Sequence, residues 1–356
     1  MSTTTKASHV TLVSACDDNY TAHLAALIES IKANNRKAAS IEYIILDGGI
    51  KQHNRTLLEN QFYQGISKES NKLTFIDCSN LYNEIRVHAH FSRATFFRLD
   101  LGKLLPNHER AIYLDCDTIV LADIDELWST DLEEFAIAAA PDIIMMKFIR
   151  THHLTPPSFG SMTAKQYVHD VIGIKDKAHK YFQAGVLVFD LNKFREIGES
   201  INFIGDLVAV RYWFLDQDVL NKHFHWRYKE LDSAWNCVNT SQEISCDLDP
   251  AWKEKSILDF SNPKIIHFAG GEEKPWDNIS TPLGNVYWNY RKRTYWHDSI
   301  RDKAHHPSRN QAPRSIGNIY LIARYIWRNL PVPLRAHLWH ISRRYISWNL
   351  NRRRND

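Results

Sequence analysis

Apolar runs alternate with helical patterns along the first third of the chain. Residues 9–15 (HVTLVSA) are the β-branched, apolar kind of run that a buried strand uses. Residues 20–34 follow with Leu24, Leu27, Ile28 and Ile31 at i, i+3, i+4 and i+7, one face of a helix. Residues 41–47 predict a second strand, closed by Gly48-Gly49, and 51–62 a helix. Residues 73–77 predict a third strand, 92–105 a helix stopped by Pro106, and 111–115 a fourth strand. Residues 135–140, 185–190 and 264–268 read as three more strands. Strands alternating with helices predict an α/β fold whose mostly parallel, mixed sheet is covered on both faces. Ligands of such sheets bind beyond the carboxyl ends of the strands. Residues 143–183 mix Met, His, Pro and Thr with weak periodicity and too much apolar content for a linker, so a functional lid over an acceptor is expected there. His152, His153, Phe159 and Tyr167 are its candidate contacts.

Composition narrows the class. The 356 residues are 44% hydrophobic and 24% charged, which excludes a disordered chain. No apolar run is long enough for a membrane-spanning helix. The first ten residues lack a secretory apolar core, so a cytoplasmic location is expected. Five cysteines without C-x-x-C spacing argue against a disulfide framework or a zinc knuckle. The net charge of +3 hides an asymmetry: residues 309–356 hold ten Arg, no Lys and one acid. This tail is strongly basic, and the body before it is mildly acidic. Within the tail, residues 316–330 and 334–350 carry apolar stripes at helical spacing, rich in Trp and Tyr and flanked by Arg, with Pro331 and Pro333 between them. Basic amphipathic helices on an anionic membrane surface are expected, with helices packed on the body as the other reading. The stripes are too continuous for a nucleic-acid surface, so no nucleic-acid partner is expected.

The sharpest local feature is Asp115-Cys116-Asp117, directly after an apolar strand. Paired carboxylates suit Mg²⁺ or Mn²⁺ bridging to a diphosphate, provided a turn brings both to one side, since alternate residues of an extended chain point apart. The spacing alone is weak, because Asp123-Ile124-Asp125, Asp216-Gln217-Asp218 and Asp247-Leu248-Asp249 repeat it. Asp17-Asp18-Asn19-Tyr20 follows the first strand and suits both a helix cap and contacts to a nucleobase and ribose. Neither G-x-G-x-x-G nor a P-loop is present. His267 closes a strand and is followed by Gly270-Gly271, which permit close backbone approach, and by Lys274, a phosphate-seeking charge. Imidazole with two carboxylates leans toward Mn²⁺ over Mg²⁺.

Together these features resemble glycosyltransferase family 8, in particular its bacterial lipopolysaccharide galactosyl- and glucosyltransferases. The resemblance spans roughly residues 9–280 and rests on motifs in order: Ala15-Cys16-Asp17-Asp18-Asn19-Tyr20, Phe97-Arg98-Leu99, Tyr113-Leu114-Asp115-Cys116-Asp117, Ala184-Gly185-Val186-Leu187, Leu215-Asp216-Gln217-Asp218, and His267-Phe268-Ala269-Gly270 with Lys274-Pro275-Trp276. It implies one nucleotide-sugar-binding, GT-A-like and Rossmann-related domain over residues 1–300, followed by the basic tail. It also implies a UDP-sugar donor, Mn²⁺ and transfer with retention of configuration. By position, Asp115, Asp117 and His267 would hold the metal, with Cys116 between the two acids. Ala15, Asp17 and Asn19 would contact uridine, with Tyr20 near uracil. Arg98, the Gln183-Ala184-Gly185 turn and Asp216 would hold the donor sugar. Gln217 would face the anomeric carbon, and Gly270 or Gly271, with Lys274, would grip the diphosphate.

Two departures bear on this transfer. Gln183 stands where the family commonly has Asn, which puts sugar choice in question. The interval from His267 to Lys274 is one residue longer than usual. Retention normally requires a carboxylate nucleophile. Gln217 is a poor one, so a same-face displacement is expected, with Asp216 as the alternative nucleophile. A glycolipid or oligosaccharide acceptor at the inner face of the cytoplasmic membrane would account for the basic tail. A sugar-nucleotide hydrolase, a nucleotidyltransferase and a non-catalytic UDP-sugar-binding protein are the rival functions.

Overall fold

A computed structural model describes residues 8–87, 92–175, 178–240, 244–270, 274–278 and 280–297. Gly271 and the basic tail lie outside the described residues, and with them the expectation of amphipathic C-terminal helices. The strands are β1 (His9–Cys16), β2 (Ser40–Asp47), β3 (Lys72–Asp77), β4 (Arg110–Leu114), β5 (Thr118–Val120), β6 (Ile137–Pro141), β7 (Phe182–Asp190), β8 (Lys229–Glu230), β9 (Cys237–Val238) and β10 (Ile265–His267). Seven of them form one sheet in the order β3-β2-β1-β4-β7-β6-β8. The neighbours β3, β2, β1 and β4 run parallel, β7 runs antiparallel to β4 and to β6, and β8 is parallel to β6. The mostly parallel, mixed sheet expected from the sequence is therefore present. A second, three-stranded sheet has the order β5-β10-β9.

Period-2 alternation splits the central strands between two cores. On one face Leu12, Ile112, Leu114, Val186 and Val188 pack with Leu24, Leu27, Ile28 and Ile31 of the helix Thr21–Asn34. On the other face Val13, Tyr113, Leu187 and Phe189 pack with Leu215, Val219, Leu220 and Phe224 of the helix Leu215–Phe224. All of these residues are buried, so both faces of the sheet are covered. Burial of this kind contributes about 25 cal/mol per Å² of apolar area, which is what holds the two layers on the sheet.

All seven strands read from the apolar runs are found, with ends shifted by up to three residues, the largest at the strand read as 185–190, which begins at Phe182. Three were not anticipated: β5, β8 and β9 are two or three residues long and too short to show a period. The expected helix over residues 92–105 is instead a 3₁₀ segment, Arg93–Asp100, followed by the short α-helix Leu101–Leu104. Arg98, Thr95 and their site partners all attach to that tighter segment. Residues 143–183 contain the helices Ile143–Arg150 and Ala164–Tyr167, with an antiparallel bridge between Leu154 and Thr163. Met145, Ala164, Tyr167 and Val168 of this segment join the main core. Tyr167 is buried and His153 stacks on Phe148 at 4.2 Å between ring centroids, so both candidate contacts take part in packing.

Candidate active site

The strand order reverses between β1 and β4, so their carboxyl ends open a crevice of the kind in which α/β sheets bind ligands. Asp115-Cys116-Asp117 leaves β4 into that crevice, and Cys16-Asp17 leaves β1 beside it. A turn follows at once: the backbone N–H of Thr118 donates to the Asp115 carbonyl at 3.1 Å, and the Thr118 hydroxyl to the same oxygen at 2.7 Å. This is the turn that paired carboxylates need. The chain then forms β5, which pairs with β10 so that Thr118 lies opposite His267. An antiparallel pairing across more than 140 residues thus carries the imidazole to the two acids.

His267 Nε2 lies 3.2 Å from Asp117 Oδ1 and 3.9 Å from Asp115 Oδ2. One ligand atom from each of the three residues falls within 4.8 Å of the others. Two carboxylate oxygens and one imidazole nitrogen make a donor set that suits a divalent cation such as Mn²⁺ or Mg²⁺. Gly185 makes the approach possible: a Cβ there would fall 2.2 Å from His267 Cε1 and 2.8 Å from Asp115 Oδ2. The other nitrogen of His267, Nδ1, is 2.9 Å from Asn236 Oδ1. Lys274 Nζ pairs with Asp117 and donates to the Phe268 carbonyl at 2.6 Å. The longer His–Lys interval therefore still delivers the charge, and within it Gly270 takes a left-handed backbone turn at φ +87°. Burial works against ionisation of Asp117, yet the charges of Lys274 and His267 hold its carboxyl far below the usual range.

Arg98 organises the opposite wall. It is only 4% exposed. Its guanidinium meets Asp115 Oδ1 at 2.7 Å, Asp216 Oδ2 at 2.9 Å and the Ala184 carbonyl. Tyr113 stacks beneath it at 4.4 Å. Burial opposes its charge, but Asp115 and Asp216 keep the guanidinium firmly protonated. Asp216 also accepts from the Thr95 hydroxyl, so both its oxygens are engaged. Burial pushes its carboxyl up to about 6, against Arg98 and Thr95. Leu215, at φ +48°, turns the chain into the helix that presents Asp216 and Gln217. Gln217 Oε1 accepts from the Ala184 N–H at 3.0 Å, while its Nε2 donates to Asp142 at 2.8 Å and to the Tyr181 hydroxyl at 3.2 Å.

The remaining expected residues take these places. Asp17 accepts from the backbone N–H of Asn19 at 3.0 Å and of Tyr20 at 3.2 Å, the capping role anticipated for it. Asn19 is exposed, and Tyr20 packs edge-on against Trp276. The Ala15 carbonyl accepts from the Cys116 thiol at 3.1 Å, joining the β1 and β4 ends. Gln183 Oε1 accepts from the Gly185 N–H and from Asn236 Nδ2, both at 2.6 Å. Its carbonyl is thereby turned inward, leaving the amide NH₂ as the group it can offer outward. Sequence reasoning missed Thr95, Asp142, Tyr181 and Asn236. An acid before the apolar run 143–149 does signal the helix cap that Asp142 forms with Ile144 and Met145. Nothing in the sequence signals its bond to Gln217, or the part played by Asn236.

Comparison with known proteins agrees with this geometry. The sequence profile described as "Glycosyl transferase family 8" matches residues 11–280. General stress protein A of Bacillus subtilis (strain 168) is 28% identical over 294 residues, covering 80% of this chain and 94% of the relative. Lipopolysaccharide 1,2-glucosyltransferase of Escherichia coli (strain K12) is 25% identical over 268 residues, 73% of this chain and 70% of that one. Among solved structures, the bifunctional glycosyltransferase WbbM superposes with a TM-score of 0.72 at 29% identity; the match covers 84% of this chain and 52% of WbbM. The galactosyltransferase LgtC shares the fold, with a TM-score of 0.58 at 21% identity over 80% of this chain and 96% of LgtC. A sheet with its switch point at β1 and β4, an Asp-Asp-His cluster at that point and a family match over most of the chain lead to one conclusion: the chain belongs to glycosyl transferase family 8.

Proposed function

We propose that this glycosyltransferase moves a hexose, galactose or glucose, from a UDP-sugar to a lipopolysaccharide or related glycolipid, with retention of configuration. The observation that carries this reading is the convergence of Asp115, Asp117 and His267 beside the Arg98–Asp216–Gln217 wall. The similarity to the lipopolysaccharide glucosyltransferase supports the acceptor class. When bound by Asp115, Asp117 and His267, Mn²⁺ (or Mg²⁺) would supply Lewis-acid stabilisation of the leaving diphosphate. Lys274 adds a fixed positive charge there, and such preorganised charges lower barriers most. Asp17, Asn19, Tyr20 and Ala15 would hold the uridine, and Gly270 with Gly271 would allow the diphosphate to approach the backbone.

Retention is best served without an enzyme nucleophile. Gln217 is held by bonds at both ends of its amide, and both oxygens of Asp216 are engaged by Arg98 and Thr95. In a same-face displacement the acceptor oxygen bonds to the anomeric carbon as the bond to phosphate breaks. The departing phosphate oxygen takes the hydroxyl proton, and Gln217 stabilises positive charge at carbon. The basic tail would keep the chain at the anionic inner face of the cytoplasmic membrane. Donor screening tests the reading: turnover with UDP-glucose or UDP-galactose, dependent on Mn²⁺ and yielding glycolipid, is expected. Free sugar as the sole product would instead indicate a hydrolase.

A further inference from the structure

His267 is connected, through two neutral amides, to a backbone N–H that cannot turn. The Gly185 N–H donates to Gln183 Oε1 at 2.6 Å. That donor belongs to β7, whose pairing with β4 fixes its direction. Gln183 cannot flip, because its NH₂ would then face the Gly185 N–H, donor against donor. Its Oε1 also lies 2.6 Å from Asn236, so the Asn236 group facing it must be the NH₂. Asn236 Oδ1 then faces His267 Nδ1 at 2.9 Å, and that contact is a hydrogen bond only if Nδ1 carries the proton. All three side chains are buried, so water offers no easy substitute.

We infer that Asn236 and Gln183 are positioning residues that fix a proton on His267 Nδ1 and so present a bare Nε2 to the cation site. The inference rests on the proposed metal role of Asp115, Asp117 and His267 for its consequence, though not for the proton placement itself. Partners behind a ligating His commonly set both its tautomer and its basicity, and their loss costs 10–100-fold in metal affinity.

Two readouts test this. In metal-free wild-type protein, ¹⁵N NMR of labelled histidine, with His267 assigned by its loss in His267→Gln, should show Nδ1 protonated whether the ring is neutral or charged. A bare Nδ1 overturns the inference. Second, Mn²⁺ titration in the presence of UDP should show affinity roughly 10–100-fold lower in Asn236→Leu and also in Gln183→Leu, whose side-chain oxygen bonds to Gly185 and Asn236. UDP binding without metal should be unchanged in Asn236→Leu. Wild-type affinity for Mn²⁺ in Gln183→Leu overturns the relay, and that variant carries the arm alone if Asn236→Leu does not fold. Failure of wild-type protein to bind Mn²⁺ would refute the metal site, while the NMR result would still judge the proton placement.

Discussion

Gly185 shows how little room the site has. Its missing side chain is occupied in effect by the His267 ring and an Asp115 oxygen, and Gly185→Ala would place a methyl 2.2 Å from a ring carbon. We expect that variant to lose on the order of 1–3 kcal/mol of stability, as overpacked buried sites do, and to lose Mn²⁺-dependent turnover with it. Thermal melting and activity on the purified protein check both; unchanged turnover would contradict the packing argument. Lys274 makes a different case, because it adds charge without being a ligand. Lys274→Met should lower kcat by roughly 10²–10³-fold, the effect of removing one preorganised charge, while retaining the Asp-Asp-His cluster. An unchanged kcat would remove Lys274 from the proposed mechanism. At this scale the acids and the imidazole drew attention through their places in the chain, Asp115 and Asp117 just after β4 and His267 closing β10. The sequence did not mark Asn236 or Thr95, whose importance exists only through contacts with residues far away in the chain.

The helix Leu215–Phe224 joins the core to the site, and its first turn holds three polar side chains in buried positions. Asp218 accepts from the hydroxyls of Tyr167 at 2.6 Å and Tyr181 at 2.5 Å and from the Phe214 N–H at 2.7 Å. Burial still outweighs these bonds and pushes its carboxyl from 3.8 up to about 6. The folded chain therefore keeps a proton that the unfolded chain releases. The contribution of this group to stability is full below 3.8 and is lost as pH rises to about 6. Against Asp218→Asn, which does not ionise, the wild type should lose about 3 kcal/mol across that window, read from urea midpoints at successive pH values. A difference independent of pH would show that Asp218 ionises normally. The long strands were legible because each shows an apolar run or a period of two. The 3₁₀ segment Arg93–Asp100 was not, since its apolar content resembles that of an α-helix and tertiary bonds from Arg98 decide between them.

For the molecule as a whole, the topology decides where chemistry occurs. Parallel β1 and β4 bring residues 15–17 and 115–117 to one edge, and the small sheet β5-β10-β9 carries His267 to the same place. That the sheet would be mostly parallel was readable from alternating patterns. The second sheet was not, because it is built from three very short strands. The uneven charge gives a further prediction at this scale: the intact protein should float with anionic vesicles, and deleting 309–356 should abolish this. Failure of the intact protein to bind would remove the membrane role. The metal-dependent donor site is tested by one titration, that of UDP into the intact protein with Mn²⁺ and then with chelator, repeated on His267→Ala. UDP binding at least about tenfold tighter with Mn²⁺ in the wild type, and indifferent to Mn²⁺ in the variant, is the predicted result. Equal UDP affinity with and without the metal in the wild type would contradict it.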